Sequence, residues 1–464
     1  MKTFLKKSSK NSWVANVSLT LMAVLALMSP AIINGFPLVY SDSGTYIAAA
    51  QTNSIPVDRP IIYSLFLNIT SLNVSLWITI FVQCLILVYL FSLLLTNIFE
   101  VKHKYAWICG LSILLSLTTS VANYSSQLMP DIFAAWMPLV VFILLFGKKL
   151  KTAVKIFLWI VFIFSVTSHF SILVTATLLI IFILVFNIFK KILPLHKNYL
   201  LITMVFAGWI TIPIINAAYG EKFSVSRCKN VTLMARLVET GVVTEYLNEH
   251  CAEKSYSLCN YKDSLPAYGY MFAWEPTSPL YRGECLKSGW DNCWIEKDAG
   301  YGLLIHDIIT SPKYLKKLIR ISLKDTYLQL KDFKIGVLVP MAENSAPYET
   351  IKSFYPHQLK GYTNASQFRQ ILYYNTTSKI QIVLVILSLL LIPLILISLH
   401  RQKIQSRNIL HFTTIICLAI ILNAAVCSSL STVVDRYQSR VIWLIPFLLT
   451  ILVIIHFQSK IREV

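Results

Sequence analysis

The chain has 464 residues, of which 56% are hydrophobic and only 14% are charged, and this composition excludes an ordinary soluble domain. Its formal net charge of +19 does not require nucleic acid as a partner. The lysines and arginines are concentrated in short connections between apolar stretches, where anionic lipid headgroups are their natural partners. We therefore expect membrane lipids, and no nucleic acid, to account for most of this charge.

Ten apolar stretches follow one another, each long enough or nearly long enough to cross ~30 Å of hydrocarbon as a helix. They lie at 14–34, 73–98, 105–122, 131–147, 155–168, 171–189, 199–216, 380–399, 409–429 and 440–458. The predicted fold class is an all-α polytopic membrane protein with about ten transmembrane helices and a large, mostly helical outer region. Its parts are a membrane core (1–216) with a juxtamembrane loop (35–72), an extracytoplasmic region (217–379) and C-terminal transmembrane helices (380–464).

The basic segments predict the orientation of these helices. With ten spans, the lysine-rich connections and both termini fall on the same side, which the positive-inside rule makes cytoplasmic. The first stretch is interpreted as an uncleaved anchor, because no small-residue cleavage site follows it. We expect a multi-pass membrane protein with the segments 35–72, 123–130, 217–379 and 430–439 outside.

The first outer loop contains two short polar motifs. "SDSGTYIAAAQ" predicts a helix capped by Ser41 or Asp42, and "DRPIIYSLF" predicts a second helix that begins at Pro60. These residues could be capping groups and interfacial anchors, or they could form the polar half of a site. The candidates for a site are Asp42, Tyr46, Asp58, Arg59 and Tyr63.

Two further motifs lie on the same predicted side. "SSQLMPDIFAAW" places Asp131 at the start of the fourth span, where it could serve as a cap. "STVVDRYQSRVIWLIPFLL" places Arg436 and Arg440 four residues apart, hence on one helical face. Two guanidiniums at the outer end of a span are suited to bidentate phosphate recognition, although they could also be anchors paired with Asp435.

Five of the nine cysteines fall in the outer region, where an oxidising compartment favours disulfides over metal sites. They are Cys228, Cys251, Cys259, Cys285 and Cys293, with Cys427 as a sixth candidate. Their spacing leaves the pairing open. The region also predicts one amphipathic helix over 230–249, and another that begins at Ser311 with Pro312 in its first turn and is suited to lie on the membrane.

The order and spacing of these motifs resemble integral-membrane glycosyltransferases of the GT-C superfamily, particularly the branch that includes lipid A aminoarabinose transferase and protein mannosyltransferases. "SDSGTYIAAA" and "DRPIIYSLF" match the first outer loop of that family, "MPDIFAAW" its second outer turn, and "DRYQSRVIWLIPFLL" its C-terminal span. The sequence departs from the family in having a single Asp42 in place of a tandem acidic pair, and Ile61 in place of a second proline. The resemblance does not extend to 217–379.

The resemblance implies an inverting transfer of a sugar from a polyprenyl-phosphate donor to a glycan, lipid or protein acceptor at the outer face of the bacterial inner membrane. Asp42 would be the general base, and Asp131 would assist it or share a divalent cation with it. The implied substrate-binding residues are Tyr46, Asp58, Arg59, Tyr63, His169, Arg436, Tyr437 and Arg440. His169 is included because it lies in the short outer turn "SVTSHFS", although it could instead be a packing residue.

Four other functions remain open from the sequence. An O-antigen polymerase or ligase would use a similar donor, and an outer-face acyltransferase would use His169 as its base. A transporter is the main alternative from another class, although its charged groups are expected near the middle of the spans rather than at their ends. A non-catalytic assembly protein or receptor is the last.

Overall fold

The computed structural model describes residues 2–335, 342–402 and 407–463. This described part is helical and contains no β-strand. The N-terminal α-helices are Lys2–Leu27, Ser29–Asn34, Ser41–Thr52, Ile62–Ser71, Leu76–Asn97, Lys104–Thr118, Val121–Ser125, Phe133–Phe146, Thr152–Thr167, Phe170–Lys190 and Leu195–Ala218. The middle ones are Lys229–Glu239, Val242–His250, Gly269–Trp274, Trp290–Thr310, Pro312–Lys331, Ala346–Phe354 and Leu359–Thr363. The C-terminal ones are Asn375–Arg401, Arg407–Leu430, Asp435–Ile442 and Leu444–Glu463. Short 3-10 helices occur at Pro130–Ile132, Cys259–Ser264, Pro279–Tyr281, Glu284–Ser288 and Pro356–Gln358.

Helices cover most of each predicted apolar stretch, with breaks at Met28 in the first stretch, at 119–120 in the third and at Trp443 in the last. Among the described residues, 6 candidates are long and apolar enough to span a membrane: Leu76–Asn97, Phe170–Lys190, Leu195–Ala218, Asn375–Arg401, Arg407–Leu430 and Asp435–Gln458. The other apolar helices have 10–17 residues, fewer than the ~20 that cross the hydrocarbon alone. The all-helical membrane class is therefore confirmed, while the count of ten spans stays a prediction.

The Phe133–Phe146 helix lies at the centre of the helix bundle. Every residue from Phe133 to Leu145 is buried, because its sequence is apolar on all sides and neighbouring helices surround it. Asp131 lies in the 3-10 turn that leads into this helix, so its carboxylate is carried into the interior and is 1% exposed. The central helix thus determines the position of one candidate site residue.

The two ends of the bundle differ in chemistry. At one end lie the lysine-rich connections, where Lys148 contacts Asn97 and Lys197 contacts Leu144. At the opposite end, which we call the loop end, the 35–72 loop meets the 217–379 region, and Arg227 donates to the carbonyl of Ile55. The polar motifs of the sequence all lie at the loop end.

The 217–379 region divides between two cores. Most of its apolar side chains form a core of their own, which also takes in Val57 from the 35–72 loop. Ile351, Tyr355 and Tyr362 instead belong to the large core of the membrane helices. The last part of this region is therefore built onto the membrane core.

Two predictions for this region need correction or completion. The single helix predicted over 230–249 is wrong, because Gly241, with φ of 72°, separates two helices in a conformation that favours glycine. The predicted disulfides are confirmed as Cys251–Cys259 and Cys285–Cys293. Cys228 and Cys427 are both buried, free thiols, so Cys427 does not complete a third pair.

The start of the Ser41–Thr52 helix also differs from the prediction. Neither Ser41 nor Asp42 caps it, because both lie within the helix and Tyr40 occupies the capping position, where its backbone N–H donates to Ser43 Oγ at 2.8 Å. This leaves the Asp42 carboxylate free to face other groups. In the 35–72 loop, the second helix begins at Ile62, two residues after Pro60 rather than at it.

Candidate functional site

Six charged side chains from four segments meet at the loop end. They alternate in sign along what we call the charged row, which runs Asp58, Arg59, Asp42, Arg436, Asp131, Arg440. All six are among the residues singled out in the sequence. The fold brings together side chains that are as far apart along the chain as Asp42 and Arg440.

The first half of the charged row joins the 35–72 loop to a C-terminal helix. Asp58 Oδ2 accepts from Nε and Nη2 of Arg59 at 2.8 and 2.5 Å. Arg59 Nη2 also lies 3.2 Å from Asp42 Oδ1. The other oxygen of Asp42, Oδ2, lies 3.6 Å from Arg436 Nη1. Asp42 is therefore held between two guanidiniums.

These guanidiniums determine the protonation of Asp42. Burial raises the pKa of its carboxyl, but Arg59 and Arg436 outweigh that effect and bring the pKa from 3.8 to about 2. Asp42 is consequently a carboxylate at neutral pH. In this arrangement it is a weak base, because a general base is most effective with a pKa near the working pH.

The second half of the charged row lies deeper. Asp131 Oδ1 is 3.5 Å from Arg436 Nε and 3.3 Å from Arg440 Nη1. The side chains of Asp131 and Arg440 are each 1% exposed. That both arginines reach one carboxylate oxygen confirms the prediction that they share a helical face. Neither forms an ion pair with Asp435, whose Oδ1 accepts the backbone N–H of Arg436.

Three buried atoms of this half have unused hydrogen-bonding capacity. Arg436 Nε, Arg440 Nε and Asp131 Oδ2 have no hydrogen-bond partner among the residues that the structure describes. Buried polar atoms in folded proteins are nearly always paired, and unpaired ones call for an explanation. Arg436 Nε is in ion-pair contact with Asp131 Oδ1 but donates no hydrogen bond, and neither does Arg440 Nε, so both N–H groups keep the capacity to donate to an anionic ligand.

Aromatic rings surround the arginines. The Arg436 guanidinium lies 4.3 Å from the ring centroid of Tyr40, and those of Arg436 and Arg440 lie 5.4 and 5.3 Å from Tyr437. The guanidinium of Arg59 lies 5.2 Å from the ring of Tyr46. These cation–π contacts fix the directions of the guanidiniums without using their N–H donors.

Tyr63 lies away from the charged row. Its hydroxyl is buried and donates to Gln83 Oε1 at 2.8 Å, while its ring contacts that of Tyr46 at a centroid distance of 4.9 Å. The Tyr63 ring therefore packs against Tyr46, and its hydroxyl points to Gln83 rather than to the arginines.

His169 approaches the deep end of the charged row through a serine. Its Nδ1 is 2.8 Å from Ser171 Oγ, which in turn is 3.0 Å from Arg440 Nη2. Burial and the nearby positive charge of Arg440 lower the pKa of His169 to about 3, so the imidazole is neutral. Arg440 Nη2 also donates to Asn423 Oδ1 at 3.0 Å.

Ser171, Asn423 and Tyr40 were not singled out in the sequence. Asn423 offers a signal that could have been used, because a polar side chain inside an apolar span usually faces a partner within the bundle. Tyr40 offers none, because an aromatic residue beside an interface is more often an anchor.

The side chains around Asp42 and Asp131 decide whether a divalent cation could be shared by these two carboxylates, as the sequence predicted. The Arg436 guanidinium lies between these two carboxylates and would repel a divalent cation. The described ranges contain no group of three or more His, Cys, Asp or Glu side chains suited to a metal ion. The arrangement fits an anion better than a cation.

Comparisons with known proteins add no further assignment. No protein-family model, no curated protein and no solved structure matches the chain.

Proposed function

We propose that the protein is a membrane glycosyltransferase of the GT-C type, which transfers a sugar from a polyprenyl-phosphate donor to a glycan, lipid or protein acceptor. In this proposal the bundle has ten spans, the loop end faces outward from the bacterial inner membrane, and both termini are cytoplasmic. The observation that carries the proposal is that the Nε–H groups of the buried Arg436 and Arg440 make no hydrogen bond within the described residues.

A phosphate group matches these donors. Guanidinium groups bind phosphate through parallel, charge-assisted hydrogen bonds, and these are stronger away from bulk water. Three arginines of the charged row are held in place by carboxylates and rings, so little reorganisation is needed when charge develops on a leaving phosphate.

Donor binding would also activate the base. A phosphate bound at Arg436 shares the guanidinium that pairs with Asp42 and adds a negative charge beside that carboxyl, and both effects raise its pKa. Asp42 would then accept the proton of the acceptor hydroxyl as its oxygen attacks the anomeric carbon. The bond from that carbon to the phosphate oxygen breaks, and its electron pair leaves on the phosphate held by the arginines. One such displacement inverts the anomeric configuration.

The same site bears on the other candidate functions. An O-antigen polymerase or ligase would use the same donor chemistry and differ only in its acceptor. In an acyltransferase His169 would be the base, but its Nδ1 already accepts the backbone N–H of Ser171 at 3.2 Å. The charged row lies at the loop end rather than midway along the helices, which does not favour a transporter.

The test separates phosphate binding from transfer. In nanodiscs, Arg436→Gln should weaken binding of undecaprenyl phosphate about tenfold or more, because a charged hydrogen-bond partner is lost. The matched control Arg369→Gln, at an exposed position, should bind as the wild type does.

In cells, Asp42→Asn should retain phosphate binding but abolish transfer. Mass analysis of surface glycans and lipid-linked sugars should then show a missing sugar and an accumulated lipid carrier, as in cells without the protein. Full transfer by Asp42→Asn would exclude it as the base, and unchanged phosphate binding by Arg436→Gln would exclude the proposed donor site.

A further inference from the structure

A cavity of about 670 Å³ opens beside the charged row, within the ~300–1,000 Å³ range of small-molecule sites. Two parts of the chain line it. Residues 44–58 form one wall, and the 217–379 region forms the other with residues that include Trp274, Asp291 and Thr350. The cavity therefore exists only where the 35–72 loop and the 217–379 region meet.

The charge of this cavity is opposite to that of a phosphate site. Its lining includes three acidic residues, Asp58, Glu221 and Asp291, and one basic residue, Arg227. That arginine is already engaged, since its Nη2 is 3.1 Å from Glu221 Oε1 and its Nη1 donates to the Ile55 carbonyl at 2.8 Å. A phosphate would meet net repulsion here, whereas hydroxyl or amino groups would find carboxylate acceptors.

An aromatic surface completes the lining. Trp274 is 48% exposed, and its ring centroid lies 5.1 Å from that of Trp294, which is buried in the core of the 217–379 region. A fixed, open indole beside carboxylates provides an apolar face and hydrogen-bond acceptors together. This combination suits a sugar ring, which has apolar C–H faces and a polar edge.

The cavity and the charged row are joined at one point. Asp58 lines the cavity, and the same carboxylate accepts two hydrogen bonds from Arg59. Arg59 in turn pairs with Asp42. A ligand seated in the cavity would therefore meet the charged row at Asp58, with the Arg59 guanidinium between that carboxylate and the proposed base Asp42.

We propose that this cavity binds the acceptor, as a neutral or amino-bearing sugar unit that packs on Trp274 and donates hydroxyl or amino hydrogens to Asp291 and Asp58. The assignment rests on the proposed glycosyl transfer and adds that the donor and the acceptor bind at different places. The charged row holds the phosphate of the donor, and the 217–379 region selects the acceptor.

The test uses the full chain with two readouts. Trp274→Ala and Asp291→Asn should each lower the amount of transferred sugar on the cell surface about tenfold or more, because each removes one recognition contact. In nanodiscs, both variants should bind undecaprenyl phosphate within about twofold of the wild type. Trp290→Ala and Asp263→Asn, exposed positions of the same region outside the cavity lining, should change neither quantity.

Each other outcome has a distinct meaning. Unchanged sugar transfer in Trp274→Ala and Asp291→Asn would overturn the acceptor assignment, and so would a parallel loss of undecaprenyl phosphate binding, which would place the donor in the cavity. If Arg436→Gln binds undecaprenyl phosphate normally, the proposed function fails and the acceptor assignment fails with it. If Arg436→Gln behaves as expected and the cavity variants do not, only the acceptor assignment fails.

Discussion

At the scale of single residues, Asp131 and Arg440 are unusual for the extent of their burial. Removing two charges from water costs several kcal/mol per ion, and their attraction offsets this only when the remaining hydrogen bonds are also made. Here Asp131 Oδ2 and Arg440 Nε are left unpaired within the described residues. The deep half of the charged row is therefore a weak contributor to stability, which is consistent with a role in binding.

Residue spacing predicted part of this arrangement. The four-residue separation of Arg436 and Arg440 predicted their shared face, and both reach the same oxygen of Asp131. Spacing could not predict that Tyr63 turns toward Gln83, because that hydrogen bond depends on how two helices pack.

The pKa of Asp42 predicts a specific pH dependence. A carboxyl with its pKa lowered from 3.8 to about 2 contributes stability that is present above its unfolded pKa and is lost as pH falls toward its folded pKa. This contribution is about 2 kcal/mol. The difference in Tm between wild type and Asp42→Asn should thus be largest near neutral pH and shrink between about pH 4 and pH 2. Thermal unfolding in detergent, followed by tryptophan fluorescence, would show it, and a difference independent of pH would contradict the ion pairs of Asp42.

At the scale of elements, the close contact between the Ser41–Thr52 and Ala346–Phe354 helices fixes the position of Asp42. A Cβ added to Gly44 would overlap the carbonyl carbon of Ala346, so the two helices could not keep their separation. The sequence predicted the first helix but not its partner, because a contact across some 300 residues leaves no local pattern.

Gly44→Ala should therefore destabilise the protein by about 1–3 kcal/mol, since a backbone contact cannot yield without moving a helix. Transfer activity should fall with it, because Asp42 is two residues away. The matched control is Gly300→Ala in the Trp290–Thr310 helix, where no described atom lies within 4 Å of the added Cβ. It should be neutral or slightly stabilising. Equal unfolding temperatures for the two variants would show that the contact at Gly44 is unimportant.

At the scale of the whole molecule, the alternation of basic and polar connections predicted which segments meet. Asp42, Asp131 and Arg436 were expected at one end of the bundle, and the structure places them within ion-pair distance of each other in turn. The cavity was not predicted, because it depends on how the 217–379 region packs on the 35–72 loop. Trp274 gave no signal of its own in a segment rich in aromatic residues.

The predicted orientation can be tested by labelling intact cells with a membrane-impermeant maleimide. Cysteine introduced as Asp263→Cys, at a side chain that is 80% exposed in the 217–379 region, should react from outside. Lys149→Cys, exposed in a basic connection, should react only after the membrane is permeabilised. The wild-type chain provides the background from its own free thiols. Labelling of Lys149→Cys in intact cells would reverse the orientation.

The alternation of the charged row has a consequence for how a ligand arrives. Three positive and three negative side chains sum to zero, so their combined field fades within the ~8–10 Å screening length of salt water. Long-range steering would not draw an anionic headgroup toward the arginines. A lipid-borne phosphate would instead be captured after lateral diffusion to the mouth of the site, at a rate nearly independent of ionic strength.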